Sequence, residues 1–173
     1  MIPEQGSSLG ERAARGRDPG GTLVRAAEKA LASLGLARDE PARLKIAVQQ
    51  TLQAPGAARV TVALRGDVSG LLLFSFPWPQ AFGVAGAVAQ QSFGPGEEEL
   101  VLDALAELAN LIAGYAATEF EREGLEVEIG PPAAGGGGEI RHASSGAAEA
   151  LRVSLEPAAG GFELALFLNG QRT

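Results

Sequence analysis

The sequence predicts an α+β fold: an antiparallel sheet of about six strands packed against long helices. Three observations carry that expectation. Short apolar runs of strand length fall into two groups of three, and helix-period stretches separate the groups instead of alternating with the strands. The joints are mostly short and rich in Gly, Pro, Asp and Ser, as turns between antiparallel neighbours require. The 173 residues are 46% hydrophobic and 20% charged, a composition that supports one sizeable core.

Residues 1–21 mix Gly, Arg, Glu and Ser without periodicity and close on Pro19-Gly20-Gly21, the composition of a disordered leader. A single domain is expected from 22 to 173. Thr22 is placed to cap a first helix whose stripe is Leu23, Ala27, Leu31 and Leu34, and Gly35 stops it. Leu44, Ile46 and Val48 then alternate with Lys45, Ala47 and Gln49, and Val60, Val62 and Leu64 alternate with Thr61 and Ala63. Both runs read as half-buried strands. Gly66-Asp67-Val68-Ser69-Gly70 turns into a third strand over 71–76 with little polar content on either face, and the three are expected to form an antiparallel meander.

The period changes after Pro77-Trp78-Pro79. Pro79 opens a helix through Phe82, Val84 and Val88, which Ser92-Phe93-Gly94-Pro95-Gly96 breaks. The longest helix follows, starting at Glu97-Glu98-Glu99, whose carboxylates suit the positive end of the macrodipole. It runs to about Gly124, and its length of about 40 Å leads us to expect a kink or a fray near Gly114 or the Glu-rich end. Leu125, Val127 and Ile129 give a fourth strand, and 151–155 and 162–168 a fifth and a sixth. Between them the Pro- and Gly-rich segment 130–138 reads as a flexible loop.

Charge and residue usage exclude several function classes. The 14 Lys and Arg against 21 Asp and Glu leave a net charge of −7, and no basic run accompanies an aromatic cluster, so no nucleic-acid partner is expected. The absence of cysteine excludes disulfides, thiolate chemistry and Cys-ligated metals, and the single histidine, His142, excludes a His-rich metal centre. The N-terminus lacks the basic and apolar regions of a signal peptide, and no apolar run reads as long enough to cross a bilayer. A cytoplasmic protein without a membrane partner is expected.

The chemistry-bearing residues stand in the longest helix. Spacings of four, three and four bring Asp103, Glu107, Asn110 and Gly114 onto one face, while Leu102, Leu105, Leu108, Leu111, Ile112 and Tyr115 cover the rest. Asn and Gly are poor helix formers, Gly by about 1 kcal/mol against Ala, so local propensity did not select them. From the Glu and Asn pair alone the plain reading is a solvated helix face, and Gly114 suits a helix-packing contact as well as a docking gap. Trp78, between two prolines, reads as a packing residue, and His142 beside Arg141 as a surface or strand-end residue. The Gly-rich segment is no phosphate cradle, because no Gly-Lys-Ser/Thr follows it and no helix begins there.

Glu107-Leu108-Ala109-Asn110-Leu111-Ile112-Ala113-Gly114 resembles the Glu-Leu-x-Asn-x-x-x-Gly signature of the CheX branch of the CheC/CheX/FliY family of chemotaxis phosphatases. The layout is similar over most of residues 23–169: a Gly-rich turn and apolar strand over 66–76, a helix end, strand and proline over 124–132, and Glu139-Ile140 leading into a final hairpin. One segment departs. Where the family has a proline, β-branched residues and a Gly, this chain has Pro131-Pro132-Ala133-Ala134-Gly135, which weakens strand propensity there.

The resemblance implies a CheX/CheC-like fold and a hydrolase that removes the aspartyl phosphate of a CheY-like response regulator in chemotaxis or related two-component signalling. Glu107 and Asn110 would then be the catalytic residues, Asn110 holding the attacking water and Glu107 pairing with the regulator's lysine. Asp103 and Gly114 would be partner contacts. No cofactor is implied on this chain; Mg2+ is expected in the partner receiver domain. The resemblance also implies a homodimer, with the terminal strands supplying an edge. The alternative is a non-catalytic module of the same fold that recognises a receiver domain or motility component without hydrolysis, and a third reading is a purely structural dimer.

Overall fold

In the computed structural model, residues 18–36, 43–48, 51–53, 57–136, 139–141, 149–157 and 159–168 are described. They form α1 (Pro19–Ser33), β1 (Arg43–Val48), β2 (Thr51–Gln53), β3 (Ala57–Gly66), β4 (Gly70–Pro77), α2 (Trp78–Ala89), α3 (Glu98–Arg122), β5 (Val127–Ile129), β6 (Ala133–Gly136), β7 (Glu139–Arg141), β8 (Glu149–Leu155) and β9 (Phe162–Leu168).

Helix α1 starts ahead of the expected cap at Thr22. Asp18 is the cap, its carboxylate accepting the Gly21 N–H at 2.9 Å, and Pro19 occupies the first turn, where no N–H is needed. The expected leader otherwise lies outside the described residues. Gly35, at φ 73°, closes α1 as expected, with the Leu36 N–H donating to the Leu31 carbonyl at 2.7 Å.

The main sheet has the order β1-β8-β9-β4-β3-β5, with β6 also paired to β3, and its neighbours are antiparallel. The α+β layering follows the expectation, but the expected meander does not form. β3 and β4 make their hairpin, whereas β1 pairs with β8. Each strand has only two edges. β4 fills one edge of β3, and β5 and β6 share the other, so β1 finds its ladder across the sheet.

The terminal strands likewise do not supply an edge. β8 lies between β1 and β9, and β9 between β8 and β4. Residues 133–136, expected in a loop, form β6 because β3 offers unpaired backbone groups beyond the end of β5. Tertiary pairing overrides the weak propensity of Ala and Gly there. The β2 and β7 pair makes a separate ladder of three residue pairs, too short for periodicity to announce.

The fourth strand is shorter than expected, because the Leu125 N–H closes α3 on the Phe120 carbonyl and Glu126 belongs to a crossing with the β3–β4 turn. The Asp67 N–H donates to the Glu126 carbonyl and the Glu126 N–H to the Asp67 carboxylate, both at 2.8 Å. Gly66, at φ 111°, makes the approach possible: a Cβ there would meet the Glu126 carbonyl at 2.4 Å. This crossing ties the chain leaving α3 to the sheet.

The helices cover one face of that sheet, and α3 packs against α1, α2, β3, β5 and β6. Its length and composition meet those of a bilayer span, contrary to the sequence expectation. Leu105, Leu108, Ile112 and Phe120 are instead buried in the core against strand residues such as Val62, Phe74 and Leu164. Burial of such a side chain is worth about 1.5–3 kcal/mol. Phe76 and Phe162 stack at a ring separation of 4.8 Å between neighbouring elements of this core.

Candidate functional site

Helix α3 is tied down at both ends. At its start Glu97 is the cap residue, and the carboxylates of Glu97 and Glu98 accept the Gly94 and Gly96 N–H groups at 2.6 and 3.3 Å. Part of the acidic run therefore organises the preceding turn as well as facing the helix dipole. At its end the Leu125 N–H returns to the Phe120 carbonyl at 3.0 Å.

A polar seam with α1 reinforces the last turns. Glu119, only 8% exposed, accepts a hydrogen bond from Lys29 and lies 3.1 Å from Arg122 Nη1 and 3.7 Å from Arg25 Nε. Thr22 Oγ1 lies 2.9 Å from Glu123 Oε1. The Lys29 hydrogen bond, with the charges of Lys29, Arg122 and Arg25, holds the Glu119 carboxyl below its usual range against the opposing push of burial. Sequence reasoning missed this seam. Its signal was the helical spacing of Arg25 and Lys29 on one helix and Glu119 and Glu123 on another, but nothing in the sequence states that these faces meet.

The remaining face of α3 carries the expected stripe. Asp103, Glu107 and Asn110 are exposed and Gly114 is half-buried, while Ala104, Leu105, Leu108, Ala109 and Ile112 are buried behind them. Among the described residues, none hydrogen-bonds or ion-pairs with the side chain of Asp103, Glu107 or Asn110. Glu107 and Asn110 are neighbours one turn apart, with Cβ atoms about 5–6 Å from each other.

Gly114 resolves in favour of open space. A Cβ built on it meets nothing within 4 Å, so packing among the described residues does not require glycine. α3 is one continuous helix of 25 residues through this point, where the Thr118 hydroxyl donates to the Gly114 carbonyl at 3.1 Å. Trp78 is half-buried and tilted on Phe82 at 5.9 Å, as a packing residue should be. His142 lies outside the described residues. No group of three or more His, Asp or Glu suited to a metal ion occurs among the described residues.

An exposed carboxylate and an exposed amide, one turn apart on a helix fixed by the core, can capture a cation and hold a water molecule beside it. The chain belongs to the CheX family: the family model described as "Chemotaxis phosphatase CheX" matches residues 59–156, more than half of its length. It is 28% identical over 116 residues to the CheY-P phosphatase CheX of Thermotoga maritima, covering 67% of this chain and 75% of that protein.

Solved structures agree on the fold. The chain is similar to a chemotaxis protein CheX from Desulfovibrio desulfuricans, with a TM-score of 0.71 at 18% identity over 88% of this chain and 100% of that one. It is also similar to a chain of the CheX–CheY–BeF3–Mg2+ complex from Borrelia burgdorferi, with a TM-score of 0.67 at 25% identity over 86% and 96%.

Proposed function

We propose that this chain hydrolyses the aspartyl phosphate of a phosphorylated CheY-like response regulator, in chemotaxis or related two-component signalling. The observation that carries this reading is the joint exposure of Glu107 and Asn110, without side-chain partners among the described residues, on the outward face of a helix whose opposite face is buried in the core. Family membership supports it, as does the CheY-P phosphatase activity named for the Thermotoga relative.

An acyl phosphate is already activated, so the catalyst mainly has to place water in line with the bond that breaks. Asn110 is suited to this, since its amide accepts and donates hydrogen bonds and orients water without acting as a strong base. Water oxygen bonds to phosphorus as the acyl oxygen leaves, giving inorganic phosphate and the free aspartate. Glu107, one turn earlier, pairs with a lysine of the receiver and sets the register of docking. Asp103 extends the acidic contact, and the open gap at Gly114 admits receiver backbone. Mg2+ belongs to the receiver, where it neutralises phosphoryl charge.

The same reading makes the chain a cytoplasmic homodimer. Light scattering tests the dimer, which a concentration-independent monomer mass would rule out. The activity is tested by following decay of a phosphorylated receiver from the same cell with Mg2+. Wild-type protein should accelerate it, Asn110→Ala should bind without accelerating it, and Glu107→Ala should lose binding. Binding of the receiver by wild type with no acceleration would instead make this a recognition module.

A further inference from the structure

Among the described residues, the one large apolar side chain that is exposed is Leu100, at 49%. Its place is not random. The series Leu100, Asp103, Glu107, Asn110, Gly114, Thr118 advances by three or four residues at each step, so Leu100 heads the same face of α3 that carries the candidate site. At about 1.5 Å per residue it stands about 13 Å from the midpoint of Glu107 and Asn110. A standard protein interface covers about 800 Å² on each partner, a disc of about 16 Å radius. A receiver seated over Glu107 and Asn110 therefore reaches Leu100 near the rim of its footprint.

The two ends of the stripe differ. Thr118, at a similar distance on the other side, spends its hydroxyl proton on the Gly114 carbonyl at 3.1 Å. Leu100 keeps about half of its surface in water, and a half-exposed leucine gains by being covered.

We infer that Leu100 is an affinity-determining contact for the receiver, seated against an apolar side chain at the margin of the receiver's phosphorylation site. The inference rests on the receiver reading above. Burying the exposed half of a leucine corresponds to roughly tenfold in affinity.

The test uses full-length protein, with the Mg2+ and BeF3-treated receiver for binding and the phosphorylated receiver for turnover. Leu100→Lys should raise Kd and KM about tenfold, keep the kcat of wild type within about twofold, and leave Tm unchanged, while Leu100→Met should restore wild-type binding. Unchanged Kd and KM in Leu100→Lys, with wild type active, overturn the inference and leave the phosphatase reading intact. Weakened binding by Leu100→Lys where wild type binds without hydrolysis supports the contact and removes the phosphatase reading. Failure of wild type to bind the receiver at all overturns both.

Discussion

Glu107 and Glu119 stand on the same helix, and of the two only Glu119 has found partners among the described residues. Lys29, Arg25 and Arg122 surround Glu119, which is nearly buried where α1 meets α3. Glu107 faces solvent beside an equally unengaged Asn110, with no partner among the described residues. A charge satisfied inside the molecule holds the fold together, whereas one kept at the surface without a partner is available to another molecule. On the proposed function, the contrast separates structural from functional polarity on one helix.

The sharpest way to break this contrast is Asn110→Ala. On the proposed mechanism the loss of a positioned water lowers kcat on the order of 100-fold, while Tm holds or rises slightly, because the side chain has no partner among the described residues and Ala is the better helix former. Dephosphorylation kinetics and a thermal melt check both halves. Glu107→Ala comes next: losing a desolvated charge partner costs about 2–5 kcal/mol of receiver binding, at least roughly thirtyfold in Kd, read by titration calorimetry. Gly114→Ala moves the two properties in opposite directions. The added methyl has room and improves helix propensity, so stability rises by up to about 1 kcal/mol while docking weakens.

Glu119→Gln gives the smallest effect and should spare receiver binding. Its signature is in pH. The native state lowers the pKa of this carboxyl from its ordinary 4.5, so ionised Glu119 stabilises the fold fully above that value. The contribution disappears as pH falls through the lowered pKa. The Tm advantage of wild type over Glu119→Gln should therefore be present at neutral pH and vanish in acid, and thermal melts across that window would show it.

What could be read beforehand follows the same division between local and distant causes. The stripe from Asp103 to Gly114 was legible because helical spacing alone puts these residues on one face. The β3–β4 hairpin and the stop at Gly35 were legible because turn and cap chemistry is local. The pairing of β1 with β8 was not, since it depends on which edges of β3 were already taken. β6 was hidden for the same reason: Ala133 to Gly136 have little preference for a strand until β3 supplies the ladder. The Glu119 seam needed the meeting of two helices far apart in sequence, and the early start of α1 at Pro19 needed the Asp18 cap to be weighed above Thr22.

The capping contacts at both ends of α3 also bear on how fast and how tightly a partner is held. The helix is anchored by Glu97 and Glu98 on the preceding turn and by the Phe120 carbonyl and Glu119 seam near its end. Its backbone has little conformational entropy left to lose when a receiver arrives. Encounter then resembles the meeting of two preformed surfaces, and differences in affinity among receivers fall mainly on their dissociation rates.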